Sequence, residues 1–182
     1  MAKVLNKEDS ILLIVDVQEK LVSALDKDIV VKRVKNLANV AKLLEVPMIV
    51  TQQYSKGLGQ TVSQVSQMFD ETTKIVEKIS FSAVQEDGFL DILKSFGRKQ
   101  IVICGIETHI CVHQTVADLL DAGFEVFVAK DACASRAKYE FKSGIERMQE
   151  NGAKISCVEI ILFEWLKTAK NPCFKEIQAL VK

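Results

Sequence analysis

The sequence has little of several features that mark specialised classes of protein. It contains only two prolines in 182 residues and no low-complexity linker, so we expect one domain over 1–182. Lysine and arginine together number 24, as do aspartate and glutamate, so the formal net charge is zero. A chain without excess positive charge has no electrostatic preference for nucleic acid or an anionic membrane, and neither is expected as a partner.

Long apolar runs and paired cysteines are also missing. The first apolar run, 11–15, ends at Asp16 and is too short for the core of a secretory signal or for a membrane span. The five cysteines form no CxxC pair and have no spacing typical of a disulfide framework. We therefore expect reduced thiols and a cytoplasmic protein.

Strand-like and helical patterns alternate along the chain. Apolar runs predict six strands, at 11–17, 48–50, 74–77, 101–104, 124–129 and 154–158. Helical patterns lie between them, including 108–122 and 137–150, and the tail is also helical. This alternation predicts an α/β fold in which a parallel sheet has helices on both faces. We expect three αβα layers and a Rossmann-like, six-stranded sheet of order 3-2-1-4-5-6. Segment 52–67 is the least regular; a lid, an interface loop and a plain surface loop all fit it.

Three reactive residues follow predicted strands, where open α/β sheets bind their ligands. Asp16 follows five apolar residues and is expected to be partly desolvated, although a loop-capping aspartate is an equal alternative. Lys78 alone is typical of a solvated surface lysine. Beside a thiol and a carboxylate, its positive charge would favour the thiolate and hold the carboxylate in place. Cys111 falls in the first turn of a predicted helix, whose free N–H groups favour a thiolate and can stabilise an oxyanion.

The other cysteines are weaker candidates for a nucleophile. Cys104 lies inside a predicted strand and is expected to be inert, and Cys133 lies near the end of another. Cys157 and Cys173 are interpreted as structural.

Two other kinds of site remain open at this point. His109 and His113 are four residues apart and bracket Cys111, a spacing that can bind zinc. A Ser-His-Asp hydrolase is disfavoured because the chain has no GxSxG motif.

Four segments in order along the chain carry a family resemblance: ILLIVDVQ around Asp16, EKISFSAV around Lys78, GIETHICV around Cys111, and the later VAKDACASR. Together they resemble the isochorismatase-like cysteine hydrolase superfamily, which includes nicotinamidases and N-carbamoylsarcosine amidase. The segments TQQYSKGLGQT and LFEWLKTAKNPCFKEI look most like its isochorismatase-domain-containing hydrolases of unassigned substrate.

The resemblance implies a catalytic triad of Asp16, Lys78 and Cys111. It also implies a cis peptide bond just before Glu107, with the backbone N–H groups of Glu107 and Cys111 forming the oxyanion hole. The chain departs from nicotinamidases, because TQQYSKG lacks their Asp-x-His metal motif; no metal and no cofactor is therefore expected, and nicotinamide is disfavoured. Cys111 itself argues against isochorismate, since the relatives that cleave that vinyl ether lack the cysteine.

The resulting hypothesis is a hydrolase that cleaves an amide-like C–N bond of a small molecule through a thioester on Cys111. Gln53, Tyr54 and Phe81 lie beside the triad segments and are candidates for substrate binding, with core or loop packing as the alternative. The two other hypotheses are a non-catalytic binding protein of the same family and a redox-sensitive thiol protein. A homo-oligomer is also expected, with tail residues that either form its interface or pack on the sheet: Ile161, Leu162, Phe163 and Trp165.

Overall fold

In a computed structural model, the structure describes residues 4–25 and 28–182. Six strands form one sheet in the order β3-β2-β1-β4-β5-β6, and every neighbouring pair is parallel. The strands are β1 (Ser10–Val15), β2 (Met48–Gln53), β3 (Lys74–Lys78), β4 (Gln100–Ile106), β5 (Glu125–Ala134) and β6 (Lys154–Ser156). The predicted fold class and strand order are confirmed.

Helices connect the strands and cover the sheet. They are α1 (Glu19–Ser23), α2 (Asp28–Leu43), α3 (Ser55–Leu58), α4 (Ser63–Ser66), α5 (Phe89–Ser95), α6 (His113–Asp121), α7 (Lys138–Glu150), α8 (Val158–Leu166) and α9 (Phe174–Leu180). A 3-10 turn covers Ala83–Gln85, and a π-helical segment, Thr108–Val112, leads into α6. Within the described ranges, no helix has both the length and the apolar content to cross a bilayer.

The central strands β1 and β4 are buried along their whole length. Parallel strands that are covered on both faces need apolar side chains at every position, which explains the uninterrupted runs in the sequence. Val15 at the end of β1 pairs with Gly105 of β4. A Cβ at Gly105 would lie 2.0 Å from the carbonyl oxygen of Val15, and the residue has φ +131°, so only glycine fits there.

Several predicted boundaries differ from the structure. The first strand ends at Val15 rather than 17, because Asp16 turns into the left-handed region with φ 51°. Segment 52–67 is more ordered than expected: it holds the end of β2 and the single turns α3 and α4. The helix predicted over 108–122 starts as a π-helix.

Of the two alternatives for the tail residues, packing on the sheet holds for three of the four. Ile161, Leu162 and Trp165 are buried within their own chain, and the Trp165 indole donates a hydrogen bond to Ser10 Oγ at 3.0 Å. Helix α8 therefore packs on the sheet, where its apolar face is shielded from water. Phe163 alone stays exposed, in edge-to-face contact with Phe174.

Candidate active site

The sheet brings the three predicted catalytic residues together. Asp16 follows β1, Lys78 ends β3, and Cys111 lies in the π-helical segment after β4. Lys78 Nζ lies 2.7 Å from Asp16 Oδ2, and both side chains have 0% exposure. Both charges act on the Cys111 thiol, which is also buried. The cluster lies where the strand order reverses between β1 and β4, the usual position of an α/β binding site.

Thr51 fixes the Asp16 carboxylate. Its hydroxyl donates to Asp16 Oδ1 at 2.7 Å, and its carbonyl accepts the Asp16 N–H at 3.2 Å. These bonds hold Asp16 in its left-handed conformation, which a non-glycine residue adopts only with support from its surroundings. The sequence reasoning missed Thr51, whose role depends on the register that pairs it with Val15.

Four oxygens surround the Lys78 ammonium group. Besides facing Asp16, Nζ donates to Gln53 Oε1 at 2.6 Å, to the Phe81 carbonyl at 3.0 Å and to the Ser80 carbonyl at 3.1 Å. The side chain of Gln53 is bound to Lys78 and to the Ile79 carbonyl, and its substrate-binding role stays a prediction. The amide therefore belongs to the support of the lysine.

The Cys111 thiol is less acidic than its helical position predicts. Burial first, and then the Asp16 carboxylate, raise the pKa of Cys111 to about 12, while the Lys78 ammonium lowers it only in part. Desolvation thus outweighs the lysine charge at this thiol.

The pKa values of the other buried thiols do not single out Cys111. Burial also raises the pKa of Cys133 to about 12 and raises that of Cys104 well above its usual range. What distinguishes Cys111 is its pair of charged neighbours, a carboxylate that can accept the proton and an ammonium that can stabilise the resulting negative charge.

Glu107 is held in place through its backbone and its side chain. The Ile106–Glu107 peptide bond is cis, which confirms that part of the resemblance. The Glu107 carbonyl accepts the N–H groups of Ile110 and Val112, which flank Cys111. Its carboxylate accepts two bonds from Arg136, from Nε at 2.9 Å and from the backbone N–H at 3.1 Å. The contact with Arg136 was not foreseen from the sequence.

His109 has partners other than a metal, whereas the buried Nε2 of His113 has no hydrogen-bond partner among the described residues. His109 Nδ1 lies 2.9 Å from Ser135 Oγ, and its Nε2 lies 3.6 Å from a carboxylate oxygen of Glu140. Burial first, and then the charge of Arg147, lower the pKa of His113. Among the described residues, no group of three or more His, Cys, Asp or Glu side chains is placed to hold a metal ion.

Tyr54 and Phe81 are exposed residues joined to Lys78 by their backbones. The Tyr54 N–H donates to the Lys78 carbonyl at 2.9 Å, and the Phe81 carbonyl accepts a bond from Lys78 Nζ. Their exposed rings leave a substrate contact open to both, and for Tyr54 and Phe81 that role stays a prediction.

Comparison with known proteins shows the family. The model described as Isochorismatase domain matches residues 10–160, and the chain belongs to the isochorismatase family. This family includes cysteine hydrolases that act on amide-like bonds. The chain is 37% identical over 177 residues to the secreted isochorismatase effector Isc1 of Phytophthora sojae, covering 95% of this chain and 84% of that protein. It is 38% identical over 180 residues to isochorismatase domain-containing protein 2 of Rattus norvegicus, covering 96% and 82%.

Solved structures share the whole fold. The MAR1 ribonuclease of Caenorhabditis elegans superposes with a TM-score of 0.92 at 33% identity, covering 98% of this chain and 92% of that one. YcaC of Pseudomonas aeruginosa, solved with hexane-2,5-diol and covalent acrylamide, gives 0.93 at 27%, covering 100% and 91%. YcaC of Escherichia coli, described as an octameric hydrolase of unknown specificity, gives 0.90 at 25%, covering 100% and 96%.

Proposed function

We propose that this protein is a cysteine hydrolase that cleaves an amide-like C–N bond of a small molecule. The observation that carries the proposal is the fully buried Asp16–Lys78 ion pair, with 2.7 Å between Nζ and Oδ2, acting on a neutral thiol at Cys111. A buried ion pair is costly to form, and one beside a nucleophilic side chain is a recognised sign of a functional site.

The first half-reaction acylates the cysteine. Asp16 takes the thiol proton as Cys111 Sγ attacks the substrate carbonyl carbon, since a thiol with a pKa near 12 supplies too little thiolate by itself. The tetrahedral oxyanion collapses, the C–N bond breaks, and Asp16 passes its proton to the departing nitrogen. The products of this step are a free amine and a thioester on Cys111.

The second half-reaction returns the enzyme to its resting state. Asp16 accepts a proton from water as the water oxygen attacks the thioester carbon. The C–S bond then breaks, a carboxylic acid leaves, and the proton on Asp16 returns to the Cys111 sulfur. The Lys78 ammonium lies among four oxygens, and its positive charge stabilises each anionic stage.

The oxyanion is assigned to the backbone N–H groups of Glu107 and Cys111. The support for this assignment is the fixed position of Glu107, whose carbonyl is bound on both sides of Cys111 and whose carboxylate is bound by Arg136. Donors that cannot move contribute most to an oxyanion hole, because no reorganisation is needed during the reaction.

The substrate is proposed to be small and neutral, and to bind near Tyr54 and Phe81. The nearby charged groups are already paired: Lys78 with Asp16, and Glu107 with Arg136. No cofactor is invoked, because Asp16 and Cys111 provide both the base and the nucleophile.

Acrylamide labelling tests the nucleophile without a known substrate. Sγ of Cys111 adds to the terminal vinyl carbon, and the thiol proton ends on the neighbouring carbon. Intact-mass and peptide spectra are expected to show one fast adduct on Cys111, which is retained in Cys133→Ala and lost in Cys111→Ala. Faster labelling of the more exposed Cys157 or Cys173 would overturn the proposal.

Release of amine from a panel of amides and ureas then tests turnover, with Cys111→Ala as the control. RNA joins the panel because the C. elegans neighbour is named a ribonuclease. No RNA cleavage is expected of this chain, since its net formal charge is zero and phosphate binding relies on positive charge. Cysteine-independent cleavage of RNA would favour that activity instead.

A homo-oligomer and a cytoplasmic location also remain proposals. The octameric state described for YcaC of E. coli supports the first. The second is supported by the absence of cysteine pairing in the sequence, whereas the relative from P. sojae is named as secreted.

A further inference from the structure

The surroundings of Lys78 contain one more oxygen than the ammonium has N–H bonds. An ammonium group has three donors. Gln53 Oε1, the Ser80 carbonyl and the Phe81 carbonyl each accept one of them, and Asp16 Oδ2 is a fourth oxygen, 2.7 Å away. Within the described part of the chain, no hydrogen bond of good geometry reaches Asp16 Oδ2, and the Cys111 thiol interacts with the same carboxylate. The positive charge of Lys78 therefore stabilises the Asp16 carboxylate, but the carboxylate accepts no hydrogen bond from the ammonium group.

The contact between Lys78 Nζ and Gln53 Oε1 is the shortest of these four. Hydrogen bonds fix both the backbone and the side-chain amide of Gln53. The buried Gln18 side chain accepts the Gln53 N–H at 2.7 Å and donates to the Gln53 carbonyl at 3.0 Å. A second donor bond from Gln18, to the Gly59 carbonyl at 2.7 Å, ties this part of the chain to the following loop. The Gln53 amide nitrogen in turn donates to the Ile79 carbonyl at 2.7 Å. These bonds leave the Gln53 oxygen pointing at Lys78.

We propose that Gln53 is a positioning residue that keeps Asp16 Oδ2 free to accept the Cys111 proton. Its amide oxygen holds one N–H of Lys78, so that the ammonium stabilises the carboxylate through charge alone. The inference rests on the proposed function, because it matters only if Asp16 acts as the base.

Two substitutions at Gln53 then have opposite effects. Gln53→Met has a similar length but no strong acceptor, so the freed N–H of Lys78 donates to Asp16 Oδ2 and makes the carboxylate a weaker proton acceptor. Gln53→Glu adds a carboxylate that draws the ammonium away, so Asp16 loses part of its counter-charge and binds a proton more readily. The other charged or titratable groups that interact with Lys78 are Cys111 and, after β3, Glu86.

The test is the rate of acrylamide addition to Cys111 across acidic to mildly alkaline pH, measured on the full chain by mass spectrometry. For Gln53→Met we expect a plateau about tenfold lower and an acid-side midpoint about one pH unit lower. For Gln53→Glu the acid-side midpoint is expected to rise by about one pH unit. A purely structural role would not move the midpoint in opposite directions.

Gln52→Met is the matched control. Gln52 is the preceding residue of β2, and its amide bonds to Gln60 and Thr61 instead of Lys78. The rate of acrylamide addition to Cys111 in Gln52→Met is expected to depend on pH as it does in the wild type. Thermal unfolding checks that each variant is folded, and Gln53→Glu tests the sign of the effect even if Gln53→Met does not fold.

Midpoints that stay unchanged, or that move in the same direction in both variants, would overturn the role of Gln53 and leave the proposed function intact. A wild-type Cys111 that labels no faster than Cys157 would instead overturn the proposed function, and this inference with it.

Discussion

Breaking the buried Asp16–Lys78 pair is expected to cost a large share of the stability of the protein. Lys78→Met removes the ammonium and leaves the fully buried Asp16 carboxylate without its counter-charge. Loss of one partner from a buried pair costs about 3–5 kcal/mol. The Gln53, Ser80 and Phe81 oxygens also lose their donor, which places the effect at the upper end of that range or above it. For a chain of this size, the melting temperature should fall by roughly 10–20 °C.

A double-mutant cycle separates the pair from its surroundings. Asp16→Asn alone leaves the buried ammonium without its carboxylate, whereas Lys78→Met with Asp16→Asn leaves no charge at all. The double variant should therefore lose less stability than the sum of the losses in the two single variants. The difference, which is the coupling energy, is expected to be about 2 kcal/mol or more. Urea unfolding provides the free energies of unfolding, provided that the slope of the free energy against urea concentration is the same in all variants.

The exposed Lys142–Glu146 pair is the matched control for this cycle. Lys142 Nζ and Glu146 Oε1 are 3.6 Å apart, one helical turn separates the two residues, and both side chains are exposed to water. Its coupling should be about 0.3–0.5 kcal/mol. If the Asp16–Lys78 coupling is equally small, the pair is solvated, and the reasoning about a desolvated triad is refuted.

Two further predictions concern strand packing and buried thiols. Gly105→Ala places a Cβ 2.0 Å from the Val15 carbonyl oxygen, so we expect a loss of more than about 4 kcal/mol or failure to fold, seen in soluble yield and thermal melting. Gly123→Ala, also at positive φ but with no atom within 4 Å of the new Cβ, should cost only about 1 kcal/mol, and equal losses would contradict the packing argument. Burial raises the pKa of the Cys133 thiol to about 12, so above the ordinary thiol pKa of about 8.5 the unfolded thiol ionises while the folded one stays protonated. Stability should then fall by about 1.4 kcal/mol per pH unit for this thiol, and urea midpoints of Cys133→Ala should fall less steeply with pH than those of the wild type. If the urea midpoints of the two proteins fall equally steeply with pH, the folded Cys133 thiol titrates like an ordinary thiol.

Part of the site could be predicted because it follows from local sequence. Asp16 directly follows an apolar run, Lys78 follows a predicted strand, and Cys111 lies in the first turn of the helix after another, so all three are expected near the carboxyl ends of strands. The neutral residues that support them have no such signal. Thr51 lies inside β2 and Gln18 beyond β1, so their contacts depend on strand register and on how the next loop returns.

The acidity of Cys111 shows a different limit. Its position near the start of a helix favours a thiolate. The extent of desolvation outweighs it, and desolvation depends on which strands and helices cover the thiol from distant parts of the chain.

The sequence by itself determined the parallel α/β class, because apolar periodicity is a local property, and its ordered motifs indicated the family and the three candidate catalytic residues. Only the tertiary structure decided how those residues act. Burial raised the pKa of the thiol, packing turned three of the four tail residues inward, and register placed Gln53 on Lys78. Such properties depend on what surrounds each group in space, and residues far apart in the chain provide most of those surroundings.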